Sequence, residues 1–331
     1  MANLTTGSTK KRFSLLDAFE KPIEWMVRLC GWSSIIGIMA IFLFILKEAA
    51  PMVPKLDWVH FFTSSRWIPN PAPGNPPSFG ALALLVGTFT TTFIGLIIAV
   101  PVGLGAAVYI SEFAKGRVKE TLKIVIELLA VIPSIVWGFI GLMVLGPVIK
   151  SVFSATAGSW WGHVMVSLHL ASAETGAAQG TNLLTGGVIL ALMSVPLVVS
   201  LSEDALRAVP DSYREAALAL GANPWETVCR VLFPAARNGL LAACMLGMGR
   251  AVGETMAVLL ATGHNNRIPE ALTDPVRTMT ATIAAEMGET VFGDPHYRVL
   301  FILGIVLFVI TCGINVASDL IVKGVKKSNP S

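Results

Sequence analysis

The sequence has few charged side chains for its length of 331 residues. Asp, Glu, Lys and Arg make up 14% of the residues, whereas 54% are hydrophobic, and the mean hydropathy is +0.70. A soluble domain of this size could not bury so much apolar surface, so the composition places the chain in a lipid bilayer. The net charge of +3 is small and does not indicate a nucleic-acid partner.

The sequence also lacks the patterns that metal, redox and nucleotide sites require. Its four cysteines are Cys30, Cys229, Cys244 and Cys312, and their wide spacing indicates neither a metal site nor a disulfide framework. The five histidines show no close ligand spacing either. No Gly-x4-Gly-Lys-[Ser/Thr] phosphate loop is present, so the chain cannot supply the usual ATP site. We therefore expect neither a metal nor a bound cofactor in this chain.

What the sequence does contain is a series of long apolar stretches. At about 1.5 Å per residue, each is long enough to approach or cross a hydrocarbon core about 30 Å thick. They predict an all-α membrane protein with six transmembrane helices, in which the ends of the overlong second and third stretches either run into the membrane interface or bend at prolines. The stretches lie near residues 28–46, 79–111, 121–149, 186–202, 236–262 and 299–322.

The distribution of positive charge predicts the orientation in the membrane. Most of the 24 Lys and Arg residues fall in the N-terminus, the second and fourth loops and the tail. Positively charged loops tend to stay in the cytoplasm, so we expect both termini there. The chain then divides into a cytoplasmic or interfacial segment 1–27, a first membrane helix with a Pro-rich outer loop 28–78, a main transmembrane domain 79–322 and a cytoplasmic tail 323–331.

The cytoplasmic loop 209–234 carries two sets of helix start and stop signals. Ser212 stands three residues before Glu215, which is the spacing of a capping box, and Gly221 is a natural C-terminal stop. The run 223–226, Asn-Pro-Trp-Glu, then starts a second helix. These signals predict a helix, a sharp turn and a helix. By themselves they fit an amphipathic hairpin on the membrane surface as well as a docking site.

The residues of this loop closely resemble the Glu-Ala-Ala signature of ABC importer permeases. Glu215-Ala216-Ala217, Gly221 and the run 231–234 follow the spacing Glu-Ala-Ala-x3-Gly-x9-Ile-x-Leu-Pro, with Val for Ile and Phe for Leu. The resemblance implies the type I ABC importer permease (MetI-like) fold. It also implies that Glu215, Ala216, Ala217 and Gly221 belong to a coupling helix that fits a groove on an ATPase.

The same resemblance implies a set of partners. The resemblance implies a non-catalytic permease subunit that forms a heterodimer with a similar second permease. It also implies two ATPase subunits that bind ATP and Mg, and an extracytoplasmic phosphate-binding protein. Because the present chain lacks a phosphate loop, ATP hydrolysis is expected in the partner ATPase.

Two charged residues, Arg250 and Glu254, lie four positions apart in the fifth apolar stretch. An unpaired Arg at the bilayer centre costs at least about 2.5 kcal/mol, and an ion pair along one helix face would compensate. Two interpretations are open: a buried pair that fixes helix packing, or an Arg250 that binds an oxyanion in transit while Glu254 holds the guanidinium without substrate. The same face predicts a cavity walled by small residues, namely Ala243, Gly247, Ala257 and Ala261.

Three segments, 126–138, 213–222 and 247–259, resemble the PstC-type permeases of phosphate-specific importers. An Arg-Ala-x-Gly-Glu core also occurs in sulfate and molybdate permeases, and Thr255-Met256 after it favours phosphate. The resemblance implies import of inorganic phosphate across a bacterial inner membrane. The alternatives are a permease for sulfate or molybdate, and an ion-coupled carrier or intramembrane enzyme that uses Arg250 and Glu254 directly.

Overall fold

The computed structural model describes residues 15–156, 160–170 and 180–327. Within these residues the chain is mainly helical, with three π-helical turns at Tyr109–Phe113, Gly141–Leu145 and Val228–Leu232. The α-helices are α1 (Leu15–Ala49), α2 (Trp58–Thr63), α3 (Leu82–Val108), α4 (Gly116–Val131), α5 (Ser134–Ile140), α6 (Gly146–Thr156), α7 (Trp160–Ser167), α8 (Leu183–Arg207), α9 (Asp211–Ala219), α10 (Pro224–Thr227), α11 (Phe233–Val252), α12 (Met256–Ala261), α13 (Met279–Glu286) and α14 (Pro295–Lys327).

Six helical segments in the described part of the chain are long and apolar enough to cross a membrane. The prediction of an all-α protein with six membrane helices is therefore confirmed. The segments are Pro22–Ala49, Leu82–Phe113, Ser134–Phe153, Leu183–Arg207, Pro224–Val252 and Pro295–Leu320. The ends of the predicted cytoplasmic segments, residues 1–14 and 328–331, lie outside the described residues.

The third crossing begins later than the sequence predicted. We expected one stretch over 121–149, but α4 ends at Val131 and the crossing starts at Ser134. Pro133 has no backbone N–H, and its ring disfavours helical geometry in the preceding residue. Ile132 accordingly has a ψ of 124°, outside the helical region. The proline therefore separates α4 from the crossing instead of bending one long helix.

Helices α3 and α8 form the closely packed centre of the bundle. Glycines allow their backbones to approach: a Cβ added at Gly95 would lie 3.0 Å from the Cβ of Leu190, and one at Gly103 would lie 2.7 Å from a methyl group of Val198. Small residues at helix contacts are the usual means by which membrane helices pack, since lipid removes most of the hydrophobic driving force. The two helices therefore form a tightly fitted pair.

The Pro-rich loop after α1 contains regular secondary structure, although proline removes backbone donors and disfavours it. It contains α2 and an antiparallel hairpin of two short strands, β1 (Trp67–Ile68) and β2 (Ser78–Phe79), in which Trp67 is opposite Phe79. The Trp67 side chain is buried at 2% exposure, and a hydrophobic cluster with Phe61 and Leu300 surrounds it. Long-range packing on α14 thus imposes order where proline alone predicted none.

A buried polar network joins this hairpin to α13 and α14. The Glu286 carboxylate accepts hydrogen bonds from Arg277 at 2.6 Å and from the Trp67 indole at 3.0 Å, and it lies 2.7 Å from the His296 ring nitrogen. Arg277 also donates to Asn266 at 2.9 Å. Arg277 and His296 are each only 8% exposed. Glu286 is therefore the shared carboxylate of the network.

Glu286→Gln is expected to destabilise the protein strongly. The substitution leaves the Arg277 guanidinium buried without its carboxylate, and breaking a buried ion pair costs about 3–5 kcal/mol. The measurement is the thermal unfolding midpoint of the purified protein in detergent. Glu24→Gln is the matched control, because it removes the carboxylate of the exposed Arg28–Glu24 pair and should change the midpoint little. Equal midpoints for the two variants would contradict the structural role of Glu286.

Candidate coupling hairpin and charged helix end

The loop between α8 and α11 forms the predicted helical hairpin. Helix α9 ends at Ala219, and Gly221 follows with a φ of +85°, a left-handed conformation that glycine adopts without strain. Asn223 then caps α10: its side chain accepts from the Glu226 amide at 2.8 Å, and Glu226 accepts from the Asn223 amide at 3.0 Å. The predicted stop at Gly221 and the restart at Asn223 are both confirmed.

The predicted start of the first helix is wrong by two residues. Ser212 does not cap the helix, which begins at Asp211 directly after Pro210 and has no side-chain cap. Pro210 has a φ of −57° and a ψ of 142°, so it ends the extended backbone and the next residue already has helical geometry. Asp211 in the first turn places a carboxylate at the positive end of the helix dipole.

The tip of the hairpin exposes several apolar side chains. Leu220 is 89% exposed, and Leu218, Trp225 and Tyr213 are also exposed. Clustered exposed hydrophobic residues beside charged ones are typical of a protein interaction site. Sequence analysis missed these four residues because it followed the Glu-Ala-Ala signature, although apolar residues on both sides of a helix stop are a readable signal.

The four signature residues do not all face the same way. Glu215, Ala216 and Gly221 are exposed, whereas Ala217 is 6% exposed and lies on the inner face of α9. A Cβ added at Gly221 would meet no atom within 4 Å, so the space beside this turn is open. Three of the residues therefore form a surface with the exposed leucines, and Ala217 lies beneath it.

The second arm of the hairpin runs directly into a long helix. From α10 the chain continues through the π-helical turn 228–232 into α11, which contains Arg250 in its last turn. The hairpin and Arg250 are thus connected by uninterrupted helical backbone. A displacement of the hairpin along this axis can be transmitted to the far end of α11.

The first arm is held by Arg214, whose side chain makes five hydrogen bonds. Its Nε and Nη2 atoms donate to the two carboxylate oxygens of Glu112, at 3.1 and 3.0 Å. It also donates to the carbonyls of Val209 and Leu206, at 2.8 and 2.9 Å, and to Asp211 at 3.1 Å. The hydrogen bond with Glu112 is the main reason why the pKa of Arg214 lies above its ordinary value. No local pattern of residues indicates that Arg214 has a partner 102 positions away.

A second ion pair lies near the same end of the bundle. Lys123 of α4 binds Glu203 of α8 at 2.8 Å, and Arg207 lies 3.5 Å from the same carboxylate oxygen. Glu203 is buried. Glu127 lies four residues along α4, at a spacing that favours a local ion pair with Lys123, but the buried Glu203 needs a compensating cation and binds Lys123 instead.

The prediction that Arg250 and Glu254 share one helix face is wrong. Helix α11 ends at Val252, and the break Gly253-Glu254-Thr255 separates it from α12. Glycine and a β-branched residue both disfavour helix, which explains the interruption. Glu254 instead accepts a hydrogen bond from the Ala257 amide at 3.3 Å, so it satisfies the start of α12. Among the described residues it forms no ion pair with Arg250.

The expected cavity wall of small residues is also wrong. Ala243 and Gly247 are buried, and a Cβ added at Gly247 would lie 2.9 Å from Val198 of α8. Ala257 and Ala261 pack in a separate hydrophobic cluster around Trp137. These small residues serve close helix packing. Arg250, in contrast, is exposed on the subunit surface.

Comparison with known proteins identifies the group to which these features belong. A family model described as "Binding-protein-dependent transport system inner membrane component" matches residues 99–327. The phosphate transport system permease protein PstC of Mesorhizobium japonicum is 39% identical over 251 residues, which cover 76% of this chain and 74% of the relative. The probable ABC transporter permease protein YqgH of Bacillus subtilis is 36% identical over 260 residues, 78% of this chain and 76% of the relative.

A further relative is PstC 1 of Mycobacterium tuberculosis, a phosphate transport system permease protein, which is 37% identical over 288 residues, 83% of this chain and 84% of the relative. Among solved structures, an inward-facing conformation of the MetNI methionine ABC transporter aligns with a TM-score of 0.49 and 21% identity, over 74% of this chain and 94% of that chain.

The family match spans more than half of the chain, and it includes the hairpin between α8 and α11, α11 itself and Arg250. With six membrane-crossing helices in the described residues, the chain is a multi-pass membrane protein. The chain therefore belongs to the binding-protein-dependent transport system inner membrane components, the permease subunits of ABC transporters.

Proposed function

We propose that this permease imports inorganic phosphate across a bacterial cytoplasmic membrane, driven by ATP hydrolysis in partner ATPase subunits. The observation that carries the proposal is the Arg250 guanidinium. It is exposed at the end of a membrane helix, and among the described residues it has neither an ion pair nor a hydrogen bond. The names of the PstC relatives support phosphate as the substrate.

Arg250 has the chemistry that an anion in transit requires. A guanidinium offers five N–H donors in a planar fork that fits two phosphate oxygens, and it keeps its charge at any physiological pH. Glu254 does not neutralise it, because that carboxylate caps α12. In this account Arg250 contacts the substrate, and Glu254 shapes the helix break beside it. This revises the expectation that Glu254 holds the guanidinium when substrate is absent.

The hairpin is the proposed docking site for the ATPase. Glu215, Ala216 and Gly221 form its polar and open part, and Leu218 and Leu220 supply apolar area for burial against a partner. Ala217 acts from beneath by packing α9 on the rest of the hairpin. ATP and Mg would be bound by the ATPase subunits, since this sequence has no phosphate loop.

The remaining partners follow from the same proposal. Two ATPases, a similar second permease and an extracytoplasmic phosphate-binding protein complete the importer. Both termini lie in the cytoplasm with the hairpin, which the concentration of Lys and Arg on that side supports. Closure of the ATPase pair would move the hairpin and α11, and the helices around Arg250 would open alternately to each side.

Arg250→Ala is expected to reduce uptake of radiolabelled phosphate by at least about tenfold, because a charge-assisted contact worth roughly 1.5–3 kcal/mol is lost. Arg250→Lys keeps the charge but not the fork, so it should retain part of the activity. Arg28→Ala is the matched control, since Arg28 is also an exposed arginine of a membrane helix but lies in α1. Uptake at the wild-type rate by an assembled Arg250→Ala complex would refute the role of Arg250.

Uptake of labelled phosphate in the presence of unlabelled competing anions measures which anion the permease selects. Unlabelled phosphate should inhibit uptake of labelled phosphate, whereas sulfate and molybdate at the same concentration should leave it unchanged. The physical reason is that phosphate retains a proton near neutral pH and can donate a hydrogen bond, which sulfate and molybdate cannot. Equal inhibition by sulfate or molybdate would assign the permease to another oxyanion.

Leu220→Asp is expected to remove the ATPase from the purified complex while the permease remains folded. Its side chain is 89% exposed, so the charge costs little in the free subunit but opposes burial in an interface. Val291→Asp is the matched control, because Val291 is an exposed aliphatic residue, at 67%, in the loop before α14. Co-purification of ATPase with tagged permease gives the readout, and undiminished recovery with Leu220→Asp would contradict docking at the tip.

A further inference from the structure

The two arms of the coupling hairpin are attached to the membrane helices by different interactions. The second arm contributes Val228 and Leu232 to a hydrophobic cluster that also contains Ala107 and Ile110 at the end of α3 and Leu206 at the end of α8. Apolar packing of this kind is not directional. It keeps the second arm in contact with the bundle, and the continuous helical backbone into α11 sets the direction of this arm.

The first arm is attached by a directional ion pair. Arg214 places its fork on both oxygens of Glu112, which belongs to the π-helical turn at the end of α3. The side chains of both residues are largely buried, at 20% and 14% exposure, so water screens the pair weakly. Two parallel hydrogen bonds fix distance and angle together. The ion pair therefore holds α9 in a defined orientation on α3.

The same arginine also binds the end of α8. Its donors reach the carbonyl of Leu206, in the last turn of that helix, and the carbonyl of Val209, just past its end. Helix termini leave several carbonyls without partners, and a cation there also interacts favourably with the helix dipole. Arg214 is thus bonded to the ends of both helices in the tightly packed α3–α8 pair.

Helix α3 connects this point with the opposite end of the bundle. Near its other end, Thr88 accepts a hydrogen bond from the Met279 amide at 2.9 Å, at the start of α13. A Cβ added at Gly87 would collide with the Arg277 carbonyl, so the segment before α13 lies directly on α3. Movement of α3 would therefore reach the network of Arg277 and Glu286 at the far end.

From these contacts we propose that Arg214, through its pair with Glu112, is a positioning residue that transmits ATPase-driven movement of the hairpin to the α3–α8 pair. The hairpin would then act on the transport pathway along two lines, through α11 to Arg250 and through α3 to the far end of the bundle. This inference rests on the proposed function, since it requires an ATPase that moves the hairpin.

The test is the number of ATP molecules hydrolysed per phosphate imported by the complete importer in proteoliposomes, with its binding protein present. Arg214→Lys keeps the charge but cannot make five hydrogen bonds, and Glu112→Gln keeps the shape but removes the charge. Both variants should retain the ATPase and hydrolyse ATP. The number of ATP molecules hydrolysed per phosphate imported should rise at least about fivefold, which is the low end of the effect that one coupled site typically has on another. Arg28→Lys, in the exposed pair with Glu24, is the control and should leave the ratio unchanged.

The double variant Arg214→Lys, Glu112→Gln should be no worse than either single variant, because both changes remove one interaction. If the double variant instead raised the ATP-to-phosphate ratio by the product of the two single effects, the two residues would act separately and the proposal would be overturned. An unchanged ratio in both single variants would also overturn it, and so would loss of the ATPase from the complex, which would assign Arg214 to docking. Failure of the wild-type complex to import phosphate with ATP would instead refute the proposed function.

Discussion

The structure depends on one constraint, which is that backbone polar groups inside a bilayer must find partners within the protein. Uninterrupted helices satisfy it along most of the chain. The break at Gly253-Glu254-Thr255 is the instructive exception. There the Glu254 carboxylate accepts from the Ala257 amide, and the Thr280 hydroxyl donates to the Glu254 carbonyl at 2.6 Å. Side chains replace the missing helical bonds, so the chain can interrupt a helix beside Arg250.

The described carboxylates and cations of the bundle differ in whether they are paired within the subunit. Glu112, Glu203 and Glu286 are each paired with cations and hold helix ends together. Arg250 is different, because its neighbouring carboxylate is occupied in capping. In the proposed function, this cation, which the subunit itself leaves available, contacts the anion in transit, and the paired charges elsewhere would provide the rigidity through which movement is transmitted.

The sequence was informative for several features whose structural cause is local. Apolar runs long enough to span lipid predicted the six crossings, and Gly221 and the Asn223 capping box predicted the hairpin turn, since all of these depend on neighbouring residues. Contacts between distant residues could not be read in this way. The partner of Arg214 lies on α3, and that of Lys123 lies on α8 instead of one turn along α4.

The fifth crossing shows how a local rule can fail. Its apolar composition continues to residue 262, and only Gly253 and Thr255 favour the interruption that places Arg250 and Glu254 on different elements.

The proposed function depends most on one point, which is that ATP hydrolysis by a partner ATPase drives phosphate through this permease. The most direct test is accumulation of labelled phosphate by the wild-type complex in proteoliposomes with and without ATP on the ATPase side. We expect accumulation only with ATP, and ATP-independent accumulation driven by an ion gradient would contradict the account.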